Sequence, residues 1–397
     1  MSEVFTGNFT QQEPLPEASI AAAEVVLRHG RLHRYNVAEG EVSETARLEE
    51  DFAASTGSAY ALAVASGGYA LGCALRACGV VPGEPVLTNA FTLAPVPGAI
   101  AGVGAVPVFV GVTEALVIDM DDLAVKLESA RVLLLSHMRG HICDMDALMA
   151  LCDAAGVTVI EDCAHTMGAR WNGTPTGRFG KMGCFSTQTY KHINAGEGGL
   201  LISDDAEAMA RAVLLSGSYM LYDHHRAAPP AEVFAGLRYD VPNISGRMDN
   251  LRAAILRPQL KVLTRQAGRW NDRYARLARG LADVPGLTLP VRCAKEQFVA
   301  SSFQFLLLDW AAPDVIAVVD GCAARGVALK WFGAAEPAGF TSRYDSWRYA
   351  DTLPLPATDR ILAGLLDMRL PLTFSLEDCA LIARIIRDVV MQVRGTP

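Results

Sequence analysis

The chain has 397 residues, 51% of them hydrophobic and 20% charged, with a formal net charge of −8. That is enough apolar material for a large core and more than one domain. No basic run is dense enough to track a phosphate backbone, which argues against a nucleic-acid partner.

Taken in chain order, the N-terminal stretch "MSEVFTGNFTQQEPLPEAS" is polar and lacks a secretory core. "YALAVAS" (60–66) reads as a strand and the Gly-Gly that follows opens a helix. From Val86 to Val112 there is no charge, long enough to span a bilayer. Pro95, Pro97 and Pro107 argue instead for a buried helix over about 92–103 and a strand over about 106–112, and no membrane is expected. "ARVLLLSHM" predicts a strand, "DMDALMALCDAAG" an amphipathic helix, and "VTVIED", "GCFSTQ" and "GGLLISDD" further strands. Such alternation implies a mostly parallel sheet covered on both faces. Ligands of such sheets sit at the strand carboxyl ends, where Ser66, His137 and Asp162 fall. "SGRMDNLRAAILRPQLKVLTRQAGRWNDRYARLARGL" predicts one long helix joining two domains. After Pro285 the pattern restarts with a strand ("FVASSFQFLLLDW"), a helix and a final helix from Leu376. Nine cysteines without a CxxC pair read as reduced thiols of a cytoplasmic protein.

The densest chemistry lies between Glu161 and Gly199. A lysine in a partly enclosed site can form a Schiff base with an aldehyde cofactor, and an aspartate can keep the pyridine nitrogen of pyridoxal phosphate protonated. Asp162 and Lys191 fit those roles, with His165 able to cover the ring and Ser186 able to bind phosphate. Ser66, Gly67 and Gly68, at a strand-to-helix turn, offer backbone N–H groups for the same phosphate. Singly, Asp162 could cap a helix, His165 could be a satisfied core histidine and Lys191 a surface lysine. No metal site is expected.

The block "VIEDCAHTMGA…GCFSTQTYKHINAGEGGLLISDD", with "TNAFTLAP", "GHICDMDAL" and "NISGRMDNLRAAILRPQL", resembles the DegT/DnrJ/EryC1/StrS aminotransferases. The resemblance implies an α/β, fold-type I pyridoxal-phosphate transferase, with a mostly parallel seven-stranded sheet and a smaller C-terminal α/β domain. It places the arm at 1–35, the large domain at 36–265 and the small one at 266–397. It implies a homodimer with shared active sites, an amino donor such as glutamate, and a ketone acceptor of sugar, cyclitol or other small anionic type. A same-fold lyase or dehydratase is the alternative, because some relatives replace the lysine by histidine, and His192 adjoins Lys191. By position, Lys191 and Asp162 are catalytic. Ser66, Gly67, Gly68, His165 and Ser186 bind the cofactor, and Asn243 reaches the partner's phosphate. Phe91 stands in for the aromatic residue that Leu93 replaces, and Gly68 stands where relatives carry Thr. Arg139 and His141 flank Gly140 where sugar-acting relatives carry an uncharged residue and Gln. Arg139 is expected either to bind an anionic group or to pair with Asp144 or Asp146. Trp331 is expected to bring an apolar wall.

Overall fold

Five-residue apolar runs become the central strands of the computed structural model, which describes residues 3–395. The outermost residues of the expected arm (1–2) and of the C-terminal third (396–397) lie outside the described residues. The large sheet has seven strands in the order Tyr60–Val64, Gly199–Ser203, Met182–Ser186, Thr158–Asp162, Val132–Ser136, Pro85–Asn89 and Val106–Val110. Only Gly199–Ser203 runs antiparallel to its neighbours. Three of the five inner strands, Gly199–Ser203, Met182–Ser186 and Val132–Ser136, are buried along their whole length. Their continuous hydrophobicity is what a sheet covered on both faces requires.

Helices Gly67–Ala77 and Ala206–Ser216 cover one face, packing Leu71, Leu75 and Met209 on Leu62, Val64 and Leu134. Helix Met145–Ala155 packs Leu148 and Cys152 on the other, against Leu133 and Val159. Side-chain caps by Ser43, Ser66, Asp144, Asp205 and Asp249 set where five helices begin. The uncharged stretch folds as the strand Pro85–Asn89, the helix Pro95–Gly102 and the strand Val106–Val110. The helix starts at Pro95 because proline suits a first helical position. No helix among the described residues is long and apolar enough to cross a membrane.

The single long helix expected after Gly246 is instead two, Asn250–Leu260 and Leu263–Leu281. The first presents Ala253 and Leu256 to the large sheet. The second presents Tyr274, Leu277 and Leu281 to a separate C-terminal core. One straight rod could not bury both faces, and Pro258 weakens the backbone ladder just before the break.

That second core lies on a three-stranded antiparallel sheet, in the order Ser302–Leu306, Leu365–Arg369, Lys330–Trp331. Phe303, Phe305, Leu366 and Met368 point into it and meet helices Ala312–Ala324 and Leu376–Arg394. The N-terminal chain joins the same core: Phe5 and Phe9 set their rings edge-on to Phe374, centroids 4.9 and 5.0 Å away. Its helix Glu17–His29 is tied to the large sheet's side, where Ser19 Oγ donates to Ile255 O over 2.8 Å.

Candidate active site

Asp162 ends its strand with a buried carboxylate. Its Oδ1 accepts the Ala164 N–H at 3.1 Å and its Oδ2 accepts the Ser136 hydroxyl at 2.8 Å. Ser136 Oγ accepts in turn from Thr92 Oγ1 at 2.9 Å. This chain orients the carboxylate and leaves lone pairs free for a further donor. Neither Ser136 nor Thr92 was singled out from sequence; their position at neighbouring strand ends was the available signal.

Lys191 sits in a loop whose ends are tied together. Thr187 N–H donates to Gly198 O, and Thr189 N–H to Gly196 O. Gly196 and Gly198 hold φ of 82° and 148°. A Cβ on Gly198 would stand 2.2 Å from Thr187 Oγ1, so this turn requires glycine. The Gly-Glu-Gly-Gly sequence therefore closes the loop that aims the lysine.

Lys191 Nζ lies 2.9 Å from His165 Nε2. The Arg139 backbone N–H points at His165 Nδ1 over 3.3 Å. Both contacts are satisfied when the neutral ring carries its proton on Nε2 and Lys191 is unprotonated. Desolvation and the neighbouring positive charges of Lys191 and Arg139 hold His165 well below its usual range. Desolvation lowers Lys191 to about 7; Asp162 pulls the other way, and Arg139 and Arg369 add to the lowering. A free amine near neutral pH is a nucleophile and a proton carrier. His192 turns away: its Nε2 meets Ser301 Oγ at 3.1 Å and its ring packs on Trp270.

Ser66 caps the helix Gly67–Ala77, accepting the Tyr69 N–H at 3.1 Å. The N–H groups of Gly67 and Gly68 have no intrahelical acceptor. Ser186 stands across from them, its Cβ 2.7 Å from where a Cβ on Gly67 would be. Only glycine lets the turn come this close. At Gly68 a Cβ would meet nothing nearer than Pro95, at 3.8 Å. Asn243 is exposed, and its Oδ1 accepts from Ser245 N and Oγ.

Other expected residues stand elsewhere. Phe91 is turned into a core cluster, edge-on to Phe332 with centroids 5.2 Å apart. Leu93 instead lines the cavity of about 60 Å³ beside Lys191, with Arg139, His165, Gln188, Tyr190 and Arg369. Trp331 packs on the C-terminal core and donates Nε1–H to Ala363 O at 2.7 Å. Adjacent strand residues face opposite sides, so Lys330, not Trp331, is on the site's side. Arg139 pairs neither with Asp144, which caps a helix, nor with Asp146, which pairs with Lys295. It reaches the buried Asp367, at 2.7 Å. His141 is buried against Gln304, Nε2 to Oε1 3.0 Å. His137, Glu161 and Cys163 cluster within 4.8 Å. The Glu161 carboxylate is already taken by His137 Nε2 and the N–H groups of Gly177, Phe179 and Gly180, which clamp that loop to the strand end.

The sequence pattern of the DegT/DnrJ/EryC1/StrS aminotransferase family matches residues 17–387. The chain belongs to this family. It is 34% identical over 242 residues to the UDP-N-acetyl-3-dehydro-alpha-D-glucosamine 3-aminotransferase of Acidithiobacillus ferrooxidans, covering 59% of this chain and 60% of that one. It is 31% identical over 290 residues to the L-glutamine:scyllo-inosose aminotransferase of Streptomyces griseus, covering 68% and 66%. The matches thus span less than two thirds of these relatives' own length. Among solved structures, the aminotransferase TlmJ from Streptoalloteichus hindustanus superposes with a TM-score of 0.82 at 25% identity, over 99% of this chain and 100% of that one. The architecture is the fold-type I one.

The DegT/DnrJ/EryC1/StrS family implies pyridoxal phosphate, and the residues fit it. The paired N–H groups at the helix start and the crowded Ser186 suit a phosphate. Asp162 keeps free lone pairs for a protonated ring nitrogen, and Lys191, with its pKa lowered by burial, offers an amine for the aldehyde. Capture of pyridoxal phosphate by the apoprotein should accelerate as pH rises through about 7, where Lys191 loses its proton, and level off above. Arg369→Met removes a positive neighbour and should move that inflection upward. Stopped-flow absorbance against pH checks both, and an inflection near the ordinary lysine range would contradict the neutral amine.

Proposed function

We propose that the chain is a pyridoxal-phosphate aminotransferase that moves an amino group, from glutamate, to a ketone of a sugar, a cyclitol or another small anionic compound. The observation that carries this reading is the buried Lys191 amine, 2.9 Å from His165 Nε2, in the same site as the oriented Asp162 carboxylate. The cofactor, when bound, supplies an aldehyde that takes up the donor nitrogen and a ring that accepts electrons from the substrate carbon. The chain supplies the rest. Lys191, displaced by the donor's amine and keeping its own nitrogen, would then carry the proton between substrate and cofactor carbons. Asp162 keeps the far end of the site negative, and Thr92 and Ser136 hold it in place. His165 positions the amine. The names of the two curated relatives, one sugar-acting and one inosose-acting, support the acceptor class. A lyase or dehydratase has less support, because Lys191 faces the site and His192 does not.

Borohydride should fix the cofactor on Lys191, and glutamate should be turned over to 2-oxoglutarate only when a suitable ketone is present. A label mapped to another lysine would refute the assignment.

A cytoplasmic homodimer belongs to the same reading. Tyr219, Met220, Tyr239 and Ile244 are exposed around Asn243, from 42% to 80% of their surface. Such a patch is costly to leave in water and suits a second copy. Sedimentation should give a particle near twice the 42.4 kDa chain mass. An active monomer at nanomolar concentration would remove Asn243 from any shared site.

A further inference from the structure

The three-stranded sheet turns a polar face toward the Lys191 loop. Gln304, Asp367 and Lys330 form one cross-strand row, and Ser302 and Arg369 the next. Asp367 is wholly buried. Its Oδ1 accepts from Gln304 Nε2 at 2.7 Å, and Gln304 is held by His141. Its Oδ2 faces cations, Arg139 Nη2 at 2.7 Å and Lys330 Nζ at 3.9 Å. Neither approach has hydrogen-bond geometry. Arg139 Nε and Nη2, Lys330 Nζ and Asp367 Oδ2 are all buried without a hydrogen-bond partner. Arg139 is only 7% exposed, and it lines the cavity beside Lys191. Arg369 lies over the Tyr190 ring, Cζ 3.4 Å from its centroid, and 5.1 Å from that of Phe340. Arg139 and Lys330 therefore share one carboxylate, with Arg369 in the next row. Desolvation lowers Lys330 to about 8 against the pull of Asp367, with Arg139 and Arg369 adding to the lowering. An arriving anion reverses that strain.

We propose that the ketone substrate of this chain carries its own anionic group, a carboxylate or phosphate, held by Arg139 and Arg369 in the cavity beside Lys191, with Lys330 adding its charge from behind them at Asp367. This rests on the aminotransferase reading above. A transaminase passes donor and ketone through one site, so cations that meet the donor's carboxylates are still there when the ketone enters. A neutral ketone would leave the surplus charge and the unpaired N–H groups desolvated beneath it. A carboxylate or phosphate offers the paired oxygens that a guanidinium fork matches. His141 and Gln304 are positioning residues: they fix Asp367 so that it neutralises only part of the charge.

The test loads the apoprotein with pyridoxamine phosphate, so that no donor is needed. It is then mixed with matched ketones bearing a carboxylate, a phosphate or no charge. The anionic ketones should react with a kcat/KM at least about tenfold above the neutral one, and the better of the two identifies the anion. Lys330→Met should lower that value about tenfold for the anionic ketones and distinctly less for the neutral one, so that the preference for an anionic ketone shrinks. Equal reactivity of all three, or a Lys330→Met effect confined to the amino donor, overturns the proposal. Binding of glutarate, an unreactive dicarboxylate, to the pyridoxal form is followed separately by calorimetry. It should weaken about tenfold in Lys330→Met, and absence of binding to the wild type also overturns the proposal. Amination of none of the ketones defeats the aminotransferase reading and this proposal with it, whereas equal and measurable amination of all three defeats the proposal alone.

Discussion

Lys191→Ala is expected to lower transamination by about 10²–10⁴-fold, the range that loss of a positioned proton-transfer group commonly costs. The expectation follows from geometry. Lys191 Nζ meets His165 in a cavity that also holds Arg139 and Arg369, and no other lysine lines that cavity. The loop that carries Lys191 is closed by backbone bonds from Thr187, Thr189 and Ala195, none of which uses the lysine side chain. The variant should therefore fold, with an unchanged circular-dichroism spectrum, and should still bind pyridoxal phosphate through the turn at Gly67 and Ser186. Single-turnover absorbance with glutamate measures the loss, and a small primary amine added to the buffer should restore part of it. A variant within tenfold of the parent rate would displace Lys191 from the chemistry.

Asp162→Asn should lower the rate by roughly 10²–10³-fold, equivalent to about 3–4 kcal/mol in the barrier, because a fixed charge in a water-poor site is lost. The amide keeps the shape and can still accept from Ser136, so cofactor binding should survive. It cannot keep a ring nitrogen protonated. A second readout separates this electrostatic role from a structural one. Asp162 holds the Lys191 pKa up against desolvation. Its removal should shift the pH inflection for cofactor capture downward from about 7, opposite to the shift expected for Arg369→Met. Near-parental turnover, or an unmoved inflection, would count against the role assigned to Asp162.

The alternation of short apolar runs with amphipathic helices was legible because each strand of the large sheet is covered on both faces, and continuous hydrophobicity records that burial. The Asp162, Ser186 and Lys191 spacing was legible for a related reason. These residues occupy the end of one strand, the end of the next and the loop that follows, so local sequence carries their proximity. The helix break at Lys261 was not legible, since each half is a good helix and only the two separate cores decide that they must diverge.

The amino-acid sequence by itself determined the sheet, the turn at Gly67, the glycine-closed loop of Lys191 and the membership in a cofactor-dependent family. Tertiary structure alone decided what surrounds the lysine. The strand Leu365–Arg369 places an aspartate and an arginine in an apolar run, a pattern that reads as a surface segment until the pairing with Ser302–Leu306 and Lys330–Trp331 buries Asp367. Strand parity then turned Lys330 toward the site and Trp331 away from it. Arg139 had acidic neighbours in sequence, yet its partner is Asp367, from the other sheet. Charge pairing between distant strands depends on register and on which face is buried, and neither is encoded in the residues on either side of the charge.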